Sequence, residues 1–214
     1  MATKHVYLVR HGETADNRRW VHQSINISLN EKGKREASAV ARALGALPID
    51  TLLSSDAERA RETAAAIAAE LRLKSRTEEI FRELHRGVLL EGEHHLSVRS
   101  VKGSLLMFLK AGNGSWHFGN GENVSEFRNR IGQIEEILAE HSGEHIIVVT
   151  HRGVINALRF MAKHRLDGSL YRFAFAAVLG RVKNGSITEL TYDPARTASW
   201  HIERANDTRH LRGL

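Results

Sequence analysis

Cysteine is absent from the sequence, which excludes a disulfide, a thiolate nucleophile and a zinc site built on thiolates. A reducing cytosol is compatible with that absence. No apolar run approaches the roughly 18 residues that a helix needs to cross a bilayer, and the stretch before Val9 is too short for a signal peptide. The chain is therefore expected to be cytoplasmic and to have no membrane partner. Aromatic residues are only 6% and scattered, so the interleaved aromatics of a nucleic-acid-binding stripe are missing. No repeat, low-complexity tract or linker divides the 214 residues, a length that suits one sizeable core. What is present in excess is positive charge. With 31 Lys and Arg against 25 Asp and Glu, the net charge of +6 favours anionic ligands without choosing among them.

Apolar runs suited to strands alternate with stretches that repeat every three or four residues. Val6 to Val9, Thr51 to Leu53, Glu78 to Phe81, His145 to Val149, Phe173 to Leu179 and Ser186 to Tyr192 read as strands, with Gly185 in the turn before the last. Helical stripes run through Ala37, Val40, Ala41, Leu44 and Leu47, and through Ala60, Ala64, Ile67 and Leu71, the second with Asp56 placed to cap it. Two further helices span Glu126 to His141 and Gly153 to Lys163. The alternation predicts an α/β fold: a three-layer sandwich with a mostly parallel central sheet and helices on both faces. One domain covering 1–214 is expected. Its weakly periodic, glycine- and histidine-rich segment 84–121, with a short helix near Leu105 to Lys110, reads as a lid-like insertion that decides substrate choice.

In such sheets ligands collect beyond the carboxyl ends of the strands. KHVYLVRHGET delivers Arg10 and His11 there, EHIIVVTHRGV delivers His151, and LLSSDAERARET carries Ser55 to a strand end and Arg59 into the first helical turn. If the strands are neighbours, two imidazoles and two guanidiniums share one crevice with a helix N-terminus. A phosphoryl group suits it, because several equatorial oxygens can engage all of them at once. Histidine is an acceptable phosphoryl acceptor, and phosphoryl transfer is mostly positioning and charge stabilisation. The leaving alkoxide needs a proton from a carboxylic acid. Glu83, in RELHRGVLLEGE, is the favoured donor, with Glu13 and Glu91 as alternatives. His94-His95 lacks a third ligand at metal spacing, so no metal site and no cofactor are expected.

At these residues the sequence resembles the histidine phosphatase superfamily, also called the phosphoglycerate mutase-like family, over nearly the whole chain. LVRHGETADN is similar to the family's RHG signature, HQSINISLNEKGKREA to the segment after it, SSDAERARETA to the second arginine motif and FRELHRGVLLEG to the acid-bearing segment. GENVSEFRNRI resembles the GES-type motif, VVTHRGVI the second histidine segment and NDTRHL the usual end. The resemblance implies His11 as phosphate acceptor, Arg10, Arg59 and His151 as phosphate ligands, and Glu83 as proton donor. Asn17, Thr14, Gln23 and Gly153 would complete the phosphate pocket. Arg152 stands where glycine is common, Asn123 where serine is usual, and Leu84, His85 and Arg86 differ from the mutase pattern. The expected activity is metal-independent hydrolysis of a small phosphorylated metabolite, with inorganic phosphate as product. A phosphoglycerate mutase is the alternative within enzymes; a phosphate- or nucleic-acid-binding protein without turnover is the alternative of another class. An oligomer is compatible with the sequence.

Overall fold

A computed structural model describes residues 3–164, 169–196 and 199–214. Six strands, β1 (Lys4–Arg10), β2 (Thr51–Ser55), β3 (Ser75–Glu78), β4 (His145–Thr150), β5 (Ile187–Tyr192) and β6 (Trp200–Asp207), form one sheet in the order β3-β2-β4-β1-β5-β6. The pairs β2/β3, β2/β4 and β1/β4 are parallel, whereas β5 runs antiparallel to both β1 and β6. The central strands are apolar on both faces because both are covered. Tyr7, Val9, Leu52, Ile147 and Val149 pack against α2 (Glu31–Leu44) and α3 (Glu58–Leu71). Val6, Leu8, Leu53, Ile146 and Val148 face α5 (Val124–Glu140), α6 (Arg152–His164) and α7 (Leu170–Leu179). The short α1 (Ala15–Arg19) follows β1, and α4 (Val98–Leu109) lies within the 84–121 segment.

Several local expectations need correction. Phe173 to Leu179 is not a strand but most of α7, in which Phe173, Ala174 and Ala177 form a buried helical face and the Ser169 hydroxyl accepts from the Tyr171 N–H at 3.2 Å. A short apolar run carries no period that separates the two states. The strand expected at Glu78 to Phe81 ends at Glu78, and Glu79–Phe81 is a 3₁₀ turn. Asp56 does not cap α3, whose N-cap is Ala57 and which has no side-chain cap; its carboxylate instead takes Arg82 Nε at 2.8 and 3.0 Å. The helix expected near Leu105 begins at Val98. Its buried face carries Ser100, Gly103 and Met107 while Val98 is 85% exposed, an inversion of the usual amphipathic pattern that hides it from periodicity.

The glycine of the RHG segment has a packing reason. A Cβ on Gly12 would stand 2.4 Å from the Gly33 carbonyl oxygen, and one on Gly33 would stand 2.0 Å from that of Glu13. The backbone after β1 therefore lies directly against the first turn of α2. Glu36 on the same helix accepts the Glu13 N–H at 2.8 Å, fixing the loop that carries His11.

Candidate active site

Because Arg10 pairs with Thr150 in the β1/β4 register, the residues that follow, His11 and His151, leave the sheet at the same level. Their ring centroids are 5.1 Å apart and both side chains are buried. His11 Nδ1 lies 2.8 Å from the Gly12 carbonyl oxygen, which can only accept, so Nδ1 carries the hydrogen and Nε2 keeps its lone pair. His151 is the opposite tautomer. Arg59 Nη2, a donor only, stands 3.4 Å from its Nδ1, leaving Nε2 to donate to the Ser55 hydroxyl at 3.0 Å. Burial, then Arg59, hold both imidazoles well below the ordinary histidine range, with Arg10 adding to each.

The two guanidiniums are anchored at one end and unsatisfied at the other. Arg10 donates from Nη1 to the Val182 carbonyl at 2.6 Å, and Arg59 donates from Nη1 to that of Ser24 at 2.8 Å. Nε of each is buried without a hydrogen-bond partner among the described residues, as is Gln23 Oε1. Burial first, with neighbouring positive charge for Arg10, lowers each arginine to about 10. Buried donors of this kind are rarely left unpaired, and an oxyanion between them would satisfy both.

Glu83 is tied to the start of α6. Its carboxylate oxygens accept the Gly153 N–H at 3.0 and 3.1 Å, and one accepts the Leu84 N–H at 3.0 Å. A Cβ at position 153 would fall 2.2 Å from Glu83 Oε1, so glycine there makes room for the carboxyl. Its segment is clamped from behind by Arg130, which donates to the Ile80 and Arg82 carbonyls at 2.7 and 2.8 Å and pairs with Glu122 at 2.8 Å. The alternatives to Glu83 point elsewhere: Glu13 is held by Asn30 and Lys32 at 3.0 and 2.9 Å, and Glu91 is exposed.

Two residues expected in the phosphate pocket have other partners. Thr14 is fully buried as the N-cap of α1, its hydroxyl accepting the Asn17 N–H at 3.1 Å, and the Gly153 N–H is occupied by Glu83. Asn17 Oδ1 accepts from Thr14 N–H at 3.2 Å and from Asn184 Nδ2 at 2.9 Å. Asn184 also lies within donating reach of the His11 and Gly12 carbonyls, at 3.1 and 3.2 Å. It went unnoticed in the sequence, although the Asn-Gly pair at 184–185 is a turn signal and Gly185 has φ +62°. Arg130 left no signal of its own, and Ser24 stood out only as part of Ser24-Ile25-Asn26, where a glycine and an acid are frequent.

The depressed histidines couple the site to stability. Burial lowers His22 to about 3 and His95 to about 4, alongside His11 and His151. Folded-state values below the unfolded value mean that the unfolded chain binds more protons once the pH falls below about 6.5, so stability is full above that and lost on acidification. A fully buried histidine kept neutral at pH 5 loses about 2 kcal/mol relative to pH 7.5. Urea titrations in phosphate-free buffer should show the midpoint dropping between those pH values; an unchanged midpoint would contradict the burial of these rings as neutral bases.

The fold is an α/β sheet that gathers two buried imidazoles, with Arg10 and Arg59 beside them, at the carboxyl ends of its parallel strands. The sequence profile of the histidine phosphatase superfamily (branch 1) matches residues 6–208, and the chain belongs to that superfamily. It is 30% identical to a metal-independent phosphoserine phosphatase of Arabidopsis thaliana, over 96% of this chain and 82% of that one. It is equally 30% identical to the probable phosphoglycerate mutase GpmB of Cronobacter sakazakii, over 96% and 94%. Among solved structures, the mycobacterial glucosyl-3-phosphoglycerate phosphatase Rv2419c with VO3 superposes with a TM-score of 0.76 at 25% identity, covering 96% of this chain and all of that one. No helix among the described residues is long and apolar enough to cross a membrane.

Proposed function

We propose that this chain is a metal-independent phosphomonoester hydrolase acting on a small phosphorylated metabolite through a phosphohistidine at His11. The observation that carries the reading is the free Nε2 lone pair of His11 beside His151, with two arginines nearby whose Nε atoms are buried and unpaired. The activity named for the Arabidopsis relative supports it. His11 Nε2 attacks phosphorus in line, the ester P–O bond breaks, and Glu83 gives its proton to the leaving oxygen. Arg10 and Arg59 hold the equatorial oxygens, joined by His151 as its Nε2–H exchanges the Ser55 hydroxyl for a phosphate oxygen, with Gln23 and Asn17 at the pocket edge. Glu83, now a carboxylate, takes a proton from water as that water attacks phosphorus. The P–N bond breaks, and inorganic phosphate and the starting enzyme result. Gly153 acts through its N–H on Glu83, and Thr14 acts by capping α1.

In this reading residues 84–121 are the specificity segment of a single domain. Rapid quenching with labelled phosphomonoester should give an acid-labile, alkali-stable phosphoenzyme, with phosphate release unaffected by chelator. Absence of label throughout turnover would refute it, and isomerisation of 3-phosphoglycerate outrunning phosphate release would favour a mutase.

A further inference from the structure

We infer that Asn184 and Glu36 are positioning residues that clamp the Gly12–Glu13 peptide from its two ends and so hold His11 in the tautomer with a free Nε2. The inference deepens the functional reading above and rests on it for the role of Nε2 as phosphoryl acceptor.

The hydrogen on Nδ1 is the less common tautomer of a free, neutral histidine side chain, so the fold must select it. Which ring nitrogen carries the hydrogen is decided by the group each one faces. At His11 the selector is the Gly12 carbonyl oxygen, 2.8 Å from Nδ1. That oxygen belongs to a peptide that follows a glycine, whose backbone reaches torsions closed to other residues. If the Gly12–Glu13 peptide turned over, its N–H would stand where its oxygen now lies. Nδ1 would then accept, the hydrogen would move to Nε2, and no lone pair would be left to attack phosphorus.

Both ends of this peptide are held by distant segments. The Glu13 N–H donates to Glu36 Oε2 at 2.8 Å, and the Gly12 oxygen lies 3.2 Å from Asn184 Nδ2. Glu36 is on α2 and only 4% exposed, and its other carboxylate oxygen pairs with Lys32 at 3.5 Å. Asn184, in the turn before β5, serves the preceding peptide as well. Its Nδ2 lies 3.1 Å from the His11 carbonyl oxygen, while the Gly12 N–H at the other end donates to the Thr63 hydroxyl at 3.1 Å. The third neighbour of Nδ2 is Asn17 Oδ1 at 2.9 Å, itself an acceptor of the Thr14 N–H. All three neighbours only accept, so the Asn184 amide must present its NH₂ group here. The two halves of the clamp also touch one another. A Cβ on Gly185 would fall 3.1 Å from that of Glu36, and the Gly185 N–H donates to the Arg10 carbonyl at 3.1 Å. Removing either half leaves a buried peptide group unpaired and the peptide free to turn.

The test reads the tautomer directly. Two-bond proton–nitrogen correlation spectra of protein isotope-labelled in its histidine rings, with the His11 signals identified by their loss in His11→Ala, should show hydrogen on Nδ1 and none on Nε2. Asn184→Ala and Glu36→Ala should each move these signals toward the other tautomer. Each should also slow phosphoenzyme formation by about 10- to 100-fold while KM stays within about threefold. Glu36→Gln keeps an oxygen for the Glu13 N–H and should recover most of what Glu36→Ala loses in both readouts. Urea titration verifies that each variant folds; should Glu36→Ala fail, Asn184→Ala carries the test. His11 signals and rates unmoved in the alanine variants would overturn the clamp while leaving hydrolysis intact. Where phosphoenzyme forms, either readout moving without the other would overturn it as well, since slower turnover with an unchanged tautomer marks lost packing alone. Shifted tautomers in the variants of a protein that never yields phosphohistidine would uphold the clamp and sink the hydrolase reading.

Discussion

His11→Ala is expected to lower kcat by about 10⁴-fold or more and to abolish the phosphoenzyme, while leaving the fold and much of the phosphate affinity in place. Among the described residues no other imidazole packs against His151, so no neighbour can replace it. His151 cannot substitute, because its Nδ1 faces Arg59 and its Nε2 is directed to Ser55. Removing a ring held neutral by burial should also flatten the pH dependence of stability, since one depressed histidine is lost. Steady-state phosphate release, quench labelling and urea titration on the same preparation separate these effects. A variant that turns over within tenfold of the parent would rule out covalent catalysis at this position.

The parts of the site set by sheet register were legible in the sequence. Two apolar runs ending in His-Gly and His-Arg-Gly can converge only if their strands are adjacent, and the Arg10/Thr150 pairing brings the two rings together. The helices of the α2/α3 face were equally plain, because Val40, Leu44, Ala60, Ala64 and Ile67 keep helical spacing. What was hidden depends on contacts between distant segments. The strand β6 pairs only with β5 and alternates weakly in burial, so its edge position left little pattern to read. In α7 the buried face shares the helix with exposed Tyr171, Phe175 and Leu179, and in α4 the small residues face inward. Periodicity needs a polar face opposite the apolar one, and exposed apolar residues on both helices blur that contrast. The departure at Asn123 was neutral for structure, since asparagine caps α5 by accepting the Glu126 N–H at 2.9 Å while Glu126 accepts the Asn123 N–H at 3.0 Å.

Glu83→Gln should distinguish the two proton transfers, and its effect should depend on the leaving group. The amide keeps an oxygen to accept from Gly153 or Leu84 N–H, so the side chain stays at the start of α6, but it has no acidic proton to give. For an alkyl phosphate the departing alkoxide is strongly basic, and loss of the general acid should slow P–O cleavage by about 10²- to 10⁴-fold. For p-nitrophenyl phosphate the phenolate leaves without help, so the first step should slow by only about tenfold. The second step still lacks its base. Water must then attack the phosphohistidine unassisted, and the intermediate should accumulate. Stopped-flow measurement should therefore show a burst of nitrophenol equal to the enzyme concentration, followed by turnover slower by about 10²-fold or more, with phosphate release lagging. Equal slowing for both esters with no burst would mean that Glu83 positions Gly153 and α6 without moving a proton, and another acid would then have to be sought along the same rim of the sheet.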